Sequence, residues 1–407
     1  MVRTVLFWLH LAAGVFAGAV ILLMSATGVA LTYERQLNAW TTSHLHSMPP
    51  ADDVEAMSVE ALVAGVLATE SGRSATGVTV SARRDAPVTV MMDPAPVIAD
   101  AYTGRELGGR RGEGLRSFLQ TMRSWHRWLA MDGDGRGVGR AITGWSNLLF
   151  LFIVLTGFYL WFPRRMRWEQ LRQGLWFKRH YGTSKARDFN WHRVIGIWSA
   201  VPLLVIVVGA LPMSFTWAND ALYRLAGEAP PTRGPVRGDS DVAARRTSGP
   251  RESSQLSLAG LDAALVTAKR ESPDWRTISV RFPRQADAPL AFSIDAGDGG
   301  QPHRRSTLTV SRTGEVVSRE GFGDQGRGRQ LRSLLRFAHT GEVLGIIGQT
   351  VAGLASAGAV LMVWTGLALS WRRLVAWRER RVEPLSAVRT APALADAPAL
   401  SSQESLS

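Results

Sequence analysis

Of the eight histidines in the chain, four stand where an imidazole is costly. His10 interrupts the apolar run "FWLHLAAGVFAGAVILL", and His192, in "NWHRVIG", opens a second run. His126, in "SWHRWLAMDGDG", and His339, in "FAHTGEVLG", fall just ahead of two more. Ionisable groups in apolar spans are expensive to keep and serve function by default. Two opposed neutral imidazoles are the fifth and sixth ligands of a low-spin haem iron. Paired as His10 with His192 and His126 with His339, the four rings would hold two irons. A single membrane histidine can instead be an interhelical hydrogen-bonding group, and a proton relay is the other chemistry open to such a set. A relay would recruit Asp or Glu, which the four apolar runs lack.

The remaining histidines have no such partners. His44 and His46 form a short His-x-His in "TSHLHSMPP", too few ligands for a metal site without carboxylates. His180 and His303 sit in basic polar loops and read as solvated. "WHR" occurs twice, and Arg127 and Arg193 beside His126 and His192 suit the carboxylates of a propionate-bearing cofactor through charge-assisted hydrogen bonds. Arg and Trp also favour the membrane interface on their own account.

These residues need elements to position them. Uncharged runs cover 5–31, 141–162, 194–217 and 343–371, each longer than the roughly 20 residues that cross a ~30 Å hydrocarbon core. The first run exceeds the ~7–15 residues of a signal h-region and reads as a retained span. From His10 to the end of that run at Leu31 is about 32 Å of helix. His10 therefore lies near one membrane face. The net charge of +13 reflects topology rather than nucleic-acid binding. Eight Lys/Arg crowd the loop between spans two and three, and Arg372, Arg373, Arg378, Arg380 and Arg381 follow span four. By the positive-inside rule, both termini and that loop are cytoplasmic, and 32–124 and 218–338 lie on the other side. The absence of Cys excludes thiolate metal sites, Fe–S clusters and c-type haem attachment.

The order is one unit used twice. "SVEALVAGVLATESG", "GVTVSARRDAPVTVMMDP" and "VIADAYTGRELG" in the first outer segment match "SLAGLDAALVTAKRESPDW", "RTISVRFPRQADAPLAFSID" and "STLTVSRTGEVVSRE" in the second. Each reads as a helix, two strands, and a further strand at a Thr-Gly turn. Spans two and four both carry a Thr-Gly, in "TGFYLWFPRR" and "TGLALSWRR". Parallel repeats related by an axis along the membrane normal follow, and that axis would bring each histidine pair together. The predicted fold is an α-helical membrane protein with four transmembrane helices and two small α+β outer lobes. Its segments are 1–33 (span one), 34–124 (first lobe), 125–163 (outer helix and span two), 164–190 (basic loop), 191–217 (span three), 218–257 (outer segment and flexible linker), 258–338 (second lobe), 339–373 (span four) and 374–407 (disordered tail). Pro202 and Pro212 are candidates to break span three. The Gly-rich "LAMDGDGRGVGRAITG" makes the connection after His126 longer than the one after His339.

Together with "TGVALTYERQLN", "WHRWL" and "HTGEVLG", these motifs resemble the PepSY-associated transmembrane helix family, in particular the ferric-siderophore reductases of the bacterial inner membrane. The resemblance covers nearly the whole chain except the linker and tail. It implies four spans, two periplasmic PepSY lobes, and two b-type haems ligated by His10, His192, His126 and His339. It also implies reduction of a ferric siderophore in the periplasm, so that Fe(II) is released for uptake. Electrons would come from a separate donor, a flavoprotein or a quinol, because no G-x-G-x-x-G unit lies on the cytoplasmic side. A non-redox module, either a siderophore permease component or a PepSY regulator of a peptidase, is the alternative.

Overall fold

The computed structural model describes residues 1–49, 51, 54–70, 72–93, 95–108, 112–163, 167–231, 257–283 and 285–389. Among the described residues four helices are long and apolar enough to cross a membrane. They are α1 (Val2–Leu31), α5 (Gly135–Trp161), α7 (Ser184–Ser214) and α11 (Gly345–Arg389). Shorter helices are α2 (Glu34–Thr42), α3 (Val59–Thr69), α4 (Glu113–Trp128), α6 (Trp168–Leu175), α8 (Thr216–Leu225), α9 (Leu261–Arg270) and α10 (Arg327–His339).

The four long helices form a closed ring. α1 and α7 each pack on both α5 and α11, which places α1 and α7 at opposite corners. Their polarity is the reverse of a soluble core. Ser25, Thr27, Ser146, Asn147, Ser199 and Thr365 are buried, while Phe16, Val201, Leu354 and Trp364 face outward. Lipid tails satisfy large apolar groups, so small and polar residues do the helix-to-helix packing. Gly358 shows this, since a Cβ there would sit 2.7 Å from the Ser199 hydroxyl. α7 runs unbroken through both candidate break points, Pro202 and Pro212; neighbouring helices support the groups that proline frees.

At one end of the bundle lie the start of α1, α6 and the part of α11 around Arg373. At the other end lies a sheet of seven strands: β1 (Ala75–Ser81), β2 (Val88–Met92), β3 (Val97–Ala99), β4 (Thr277–Arg281), β5 (Leu290–Asp295), β6 (Arg305–Val310) and β7 (Val316–Gly321). The strand order is β3-β2-β1-β4-β5-β6-β7, antiparallel throughout. The strands of the two outer segments belong to one sheet. β1 pairs with β4 from Gly77–Arg281 to Ser81–Thr277 and fuses both strand sets into one sheet. A Cβ on Gly77 would run into the Val280 carbonyl, so this close pairing needs glycine. Alternate residues such as Val78, Val90, Ile278, Phe292 and Leu308 form the core with Leu62 and Val63 of α3 and Leu261 and Leu265 of α9. Each fully buried aliphatic or aromatic side chain stabilises by about 1.5–3 kcal/mol.

The segment boundaries shift as well. α4 begins at Glu113, so the boundary at 125 falls inside a helix. The Gly-rich stretch after His126 is largely helical, because α5 starts at Gly135. Gly139 lets α5 fold back against the Trp128 carbonyl, where a Cβ would collide. α11 continues to Arg389, so the first part of the expected tail at 374–407 is helix. Residues 390–407 and the linker at 232–256 lie outside the described residues.

Candidate functional site

The bundle holds its histidines at two levels. At the loop end, His10 on α1 and His192 on α7 line the same cavity, about 1290 Å³ in volume, between the opposite corners of the ring. His10 Nδ1 lies 2.9 Å from Thr156 Oγ1 on α5, and His192 Nδ1 lies 3.1 Å from Thr365 Oγ1 on α11. The next residue in each case is glycine. A Cβ on Gly157 would be 3.1 Å from His10 Cε1, and one on Gly366 would be 3.3 Å from His192 Cε1. The same device therefore seats both rings.

At the sheet end, His126 sits near the C-terminus of α4 and His339 is the last residue of α10. Their ring centroids are 6.3 Å apart and the planes are inclined by 56°. His126 Nδ1 lies 2.9 Å from the Met24 carbonyl and 3.0 Å from Thr27 Oγ1. His339 Nδ1 lies 2.7 Å from the Ile206 carbonyl. A carbonyl can only accept, so Nδ1 of both rings carries the proton and Nε2 keeps its lone pair. Burial, with the charge of His339 second, pushes the His126 imidazole down to about 4. Burial also lowers His339. Both rings are thus neutral near pH 7, the form that binds metal.

The two levels are separated by 17 residues of α1, from His10 to Thr27, and by 14 of α7, from His192 to Ile206. At 1.5 Å per residue these are about 26 and 21 Å, close to the thickness of a bilayer core. At the loop end Arg193 lines the cavity and its Nη2 donates to the Trp161 carbonyl at 3.4 Å. Arg3 donates to the Leu160 carbonyl at 2.6 Å. Arg373 lies over the rings of Phe7 and Trp8, 5.0 and 4.7 Å from their centroids. Among the described residues that line the cavity there is no carboxylate. Arg127 lies over the Trp128 ring at 4.6 Å, near enough for its charge to act on His126.

The structure brings His126 beside His339 and places His10 and His192 on one cavity. The match to a family model described as PepSY-associated TM region spans residues 7–373. The chain belongs to the PepSY-associated TM family. That bears out the family read from its motifs. No curated protein matches the chain.

Other residues of this family member were missed by sequence reasoning. Thr27, Thr156 and Thr365 stood inside the motifs "TGVALTYERQLN", "TGFYLWFPRR" and "TGLALSWRR", and the recurring Thr-Gly was the available signal. His46 pairs with Asp85 at 3.2 Å, and among the described residues no group of three His, Cys, Asp or Glu could hold a metal ion. His44, His180 and His303 are exposed. Asp188, part of the basic loop by sequence, lies in the first turns of α7, buried and paired with Arg187 at 3.0 Å and Arg372 at 2.7 Å.

Proposed function

We propose that this PepSY-associated TM protein is a transmembrane electron conduit. It would carry two b-type haems, one at each histidine level, and deliver electrons to a ferric siderophore outside the membrane. The observation that carries the reading is the pairing itself: two imidazole pairs about one bilayer apart, each ring with Nδ1 committed to an acceptor. The 6.3 Å between the His126 and His339 centroids equals about two ring radii plus two metal–nitrogen bonds of about 2.0–2.1 Å. The residues present therefore fit the group.

His10 and His192 would hold the loop-end group, and His126 and His339 the sheet-end one. Bound haem iron supplies a one-electron couple; the protein supplies binding, orientation and electrostatics. Gly157 and Gly366 leave room for the His10 and His192 rings. Arg193, with Arg3 and Arg373, presents positive charge at the cavity mouth to propionates. Arg127 does so at the sheet end. Phe150 and Met362 give the loop-end cavity apolar walls. The ferric siderophore is the substrate; on reduction its hard oxygens hold Fe(II) less tightly, and the metal leaves.

Arg167, Arg172, Lys178 and Arg179 in the loop, and Arg378 beyond α11's apolar stretch, support a cytoplasmic loop end by the positive-inside rule. That orients the sheet end to the periplasm of a bacterial inner membrane, with a flavoprotein or quinol as donor on the opposite side. In this reading the strand sets β1–β3 and β4–β7 are two PepSY lobes, and the halves of the chain are parallel repeats. A visible spectrum of the detergent-purified protein, oxidised and dithionite-reduced, tests the proposal. A sharp reduced α-band and a pyridine haemochrome count near two per chain are expected. Colourless protein after expression with ample haem would overturn it and return the chain to the non-redox alternative.

A further inference from the structure

Three of the four histidine seats are built the same way. Thr156 precedes Gly157 against His10, Thr365 precedes Gly366 against His192, and Thr27 precedes Gly28 against His126. In each seat the threonine has already spent its one proton on its own helix. Thr156 Oγ1 donates to the Phe152 carbonyl at 2.7 Å, Thr365 Oγ1 to Leu361 at 2.8 Å, and Thr27 Oγ1 to Leu23 at 2.7 Å. A hydroxyl has one donor and two lone pairs, so what it offers the imidazole is an acceptor. The backbone carbonyl three residues before each threonine stands beside the same ring: Ile153, Met362 and Met24. At His126 one Nδ1–H is thus shared between a hydroxyl and a carbonyl; at His10 and His192 the hydroxyl is the partner at hydrogen-bond distance.

The fourth seat departs from this. Three residues after the Ile206 carbonyl stands Gly209 rather than a threonine. A Cβ there would lie 2.7 Å from the Leu335 carbonyl and 3.1 Å from His339 Cβ, so α10 approaches too closely for any side chain. Among the described residues no hydroxyl accepts from His339, which relies on the carbonyl at 2.7 Å.

We propose that Thr27, Thr156 and Thr365 are positioning residues that fix the Nδ1–H tautomer of their histidines and tune them as iron ligands. His339 is set by backbone alone. The inference rests on the two-haem reading and adds how the ligand strength is controlled. An acceptor on the far nitrogen of a ligating imidazole orients the ring and raises its basicity. More basic ligands favour the oxidised metal. Removing a threonine hydroxyl therefore shifts the reduction potential of that level in the positive direction and leaves the other level in place. Electron exchange between the levels is balanced in itself, one site losing the electron that the other gains, and needs no proton.

The test is an optical redox titration of the full chain in detergent, with Thr156→Val, Thr365→Val and Thr27→Val beside their Ser counterparts. His10→Ala and His339→Ala assign each component to a level. The expected result is a positive shift of the loop-end component for Thr156→Val and Thr365→Val, larger in the double variant. Thr27→Val should shift the sheet-end component alone. Serine should restore the parent value. Loss of one haem in a Val variant, recovered by Ser, also supports the assignment. Unmoved potentials at full haem content would overturn it, as would equal loss with Val and Ser, which marks a packing role. Parent protein without haem would instead defeat the function on which the inference rests.

Discussion

Gly157 and Gly28 face histidines at different clearances, and a single added side chain should separate their roles. At Gly157 a Cβ would come within 3.1 Å of His10 Cε1, tighter than ordinary contact, whereas at Gly28 the gap to His126 Cε1 is 3.6 Å. Gly157→Val adds branched bulk directly against the ring, and interiors tolerate little overpacking. On the two-haem proposal, the haem count of that variant should fall from about two towards one, with the sheet-end spectrum retained. Gly28→Ala should keep both. The histidines themselves were legible because the four fall at matching places in the two halves of the chain. The threonines were not, because Thr in a membrane helix commonly bonds its own backbone, and these do so as well. Their second role appears only when another helix brings a ring to the free lone pair.

Among the elements, the spans could be read from run length, but the sheet could not. Alternation in "TVSARRDAPVTVMM" and "TISVRFPRQ" shows which residues face a core; it says nothing of which strand lies alongside. β1 finds its partner in β4, with Thr79 opposite Ser279 and their hydroxyls 2.9 Å apart. The two helices covering that sheet are joined by crossed caps. Asp262 Oδ1 accepts from the Val59 N–H of α3 at 2.7 Å, and Glu60 Oε1 accepts from the Asp262 N–H at the start of α9 at 3.0 Å. Asp262→Ala should lower stability by about 0.5–2 kcal/mol, the cost of a lost N-cap. Glu60→Ala should add less than its separate effect in the double variant, because the two caps share one contact. A denaturant series in detergent measures both.

The turn after β3 gives a pH-dependent counterpart. Burial pushes the Asp100 carboxyl up, but hydrogen bonds from Thr103 N–H and hydroxyl, Tyr102 N–H and Met48 N–H outweigh it and hold it below the usual carboxylate range. A depressed folded pKa contributes stability that is fully present above the unfolded value, about 3.9. It is lost as pH falls through the folded value. Asp100→Ala should therefore be less stable than the parent at pH 7, and the difference should narrow as pH drops below 4. A constant gap across that range would assign the loss to packing.

At the scale of the whole molecule, the sheet is fastened to one mouth of the bundle. Arg35, just beyond α1, pairs with Glu342 at 2.5 Å and also donates to the Asp298 carbonyl in the loop after β5. Gln36 donates to Gln349 at 2.6 Å, and Gln349 in turn donates to the Thr32 carbonyl at 3.1 Å. α1, α11 and the sheet thereby share one polar joint on the His126–His339 side, while the loop-end cavity opens between arginines on the other. In the proposed function an electron entering near His10 and His192 would cross the middle layer of Leu203, Ala355 and Ala359 before reaching the sheet. Removing only the entrance should then separate binding from transfer. In vesicles with the loop end inward, His10→Ala should keep a sheet-end haem that external dithionite reduces. It should lose the reduction of an external ferric chelate by a reductant trapped inside, which the proposed function expects of the parent protein. His339→Ala should lose that transfer too while keeping the loop-end haem reducible from within. If His10→Ala passes electrons at the parent rate, the two levels are not in series, and the route across the bilayer lies elsewhere.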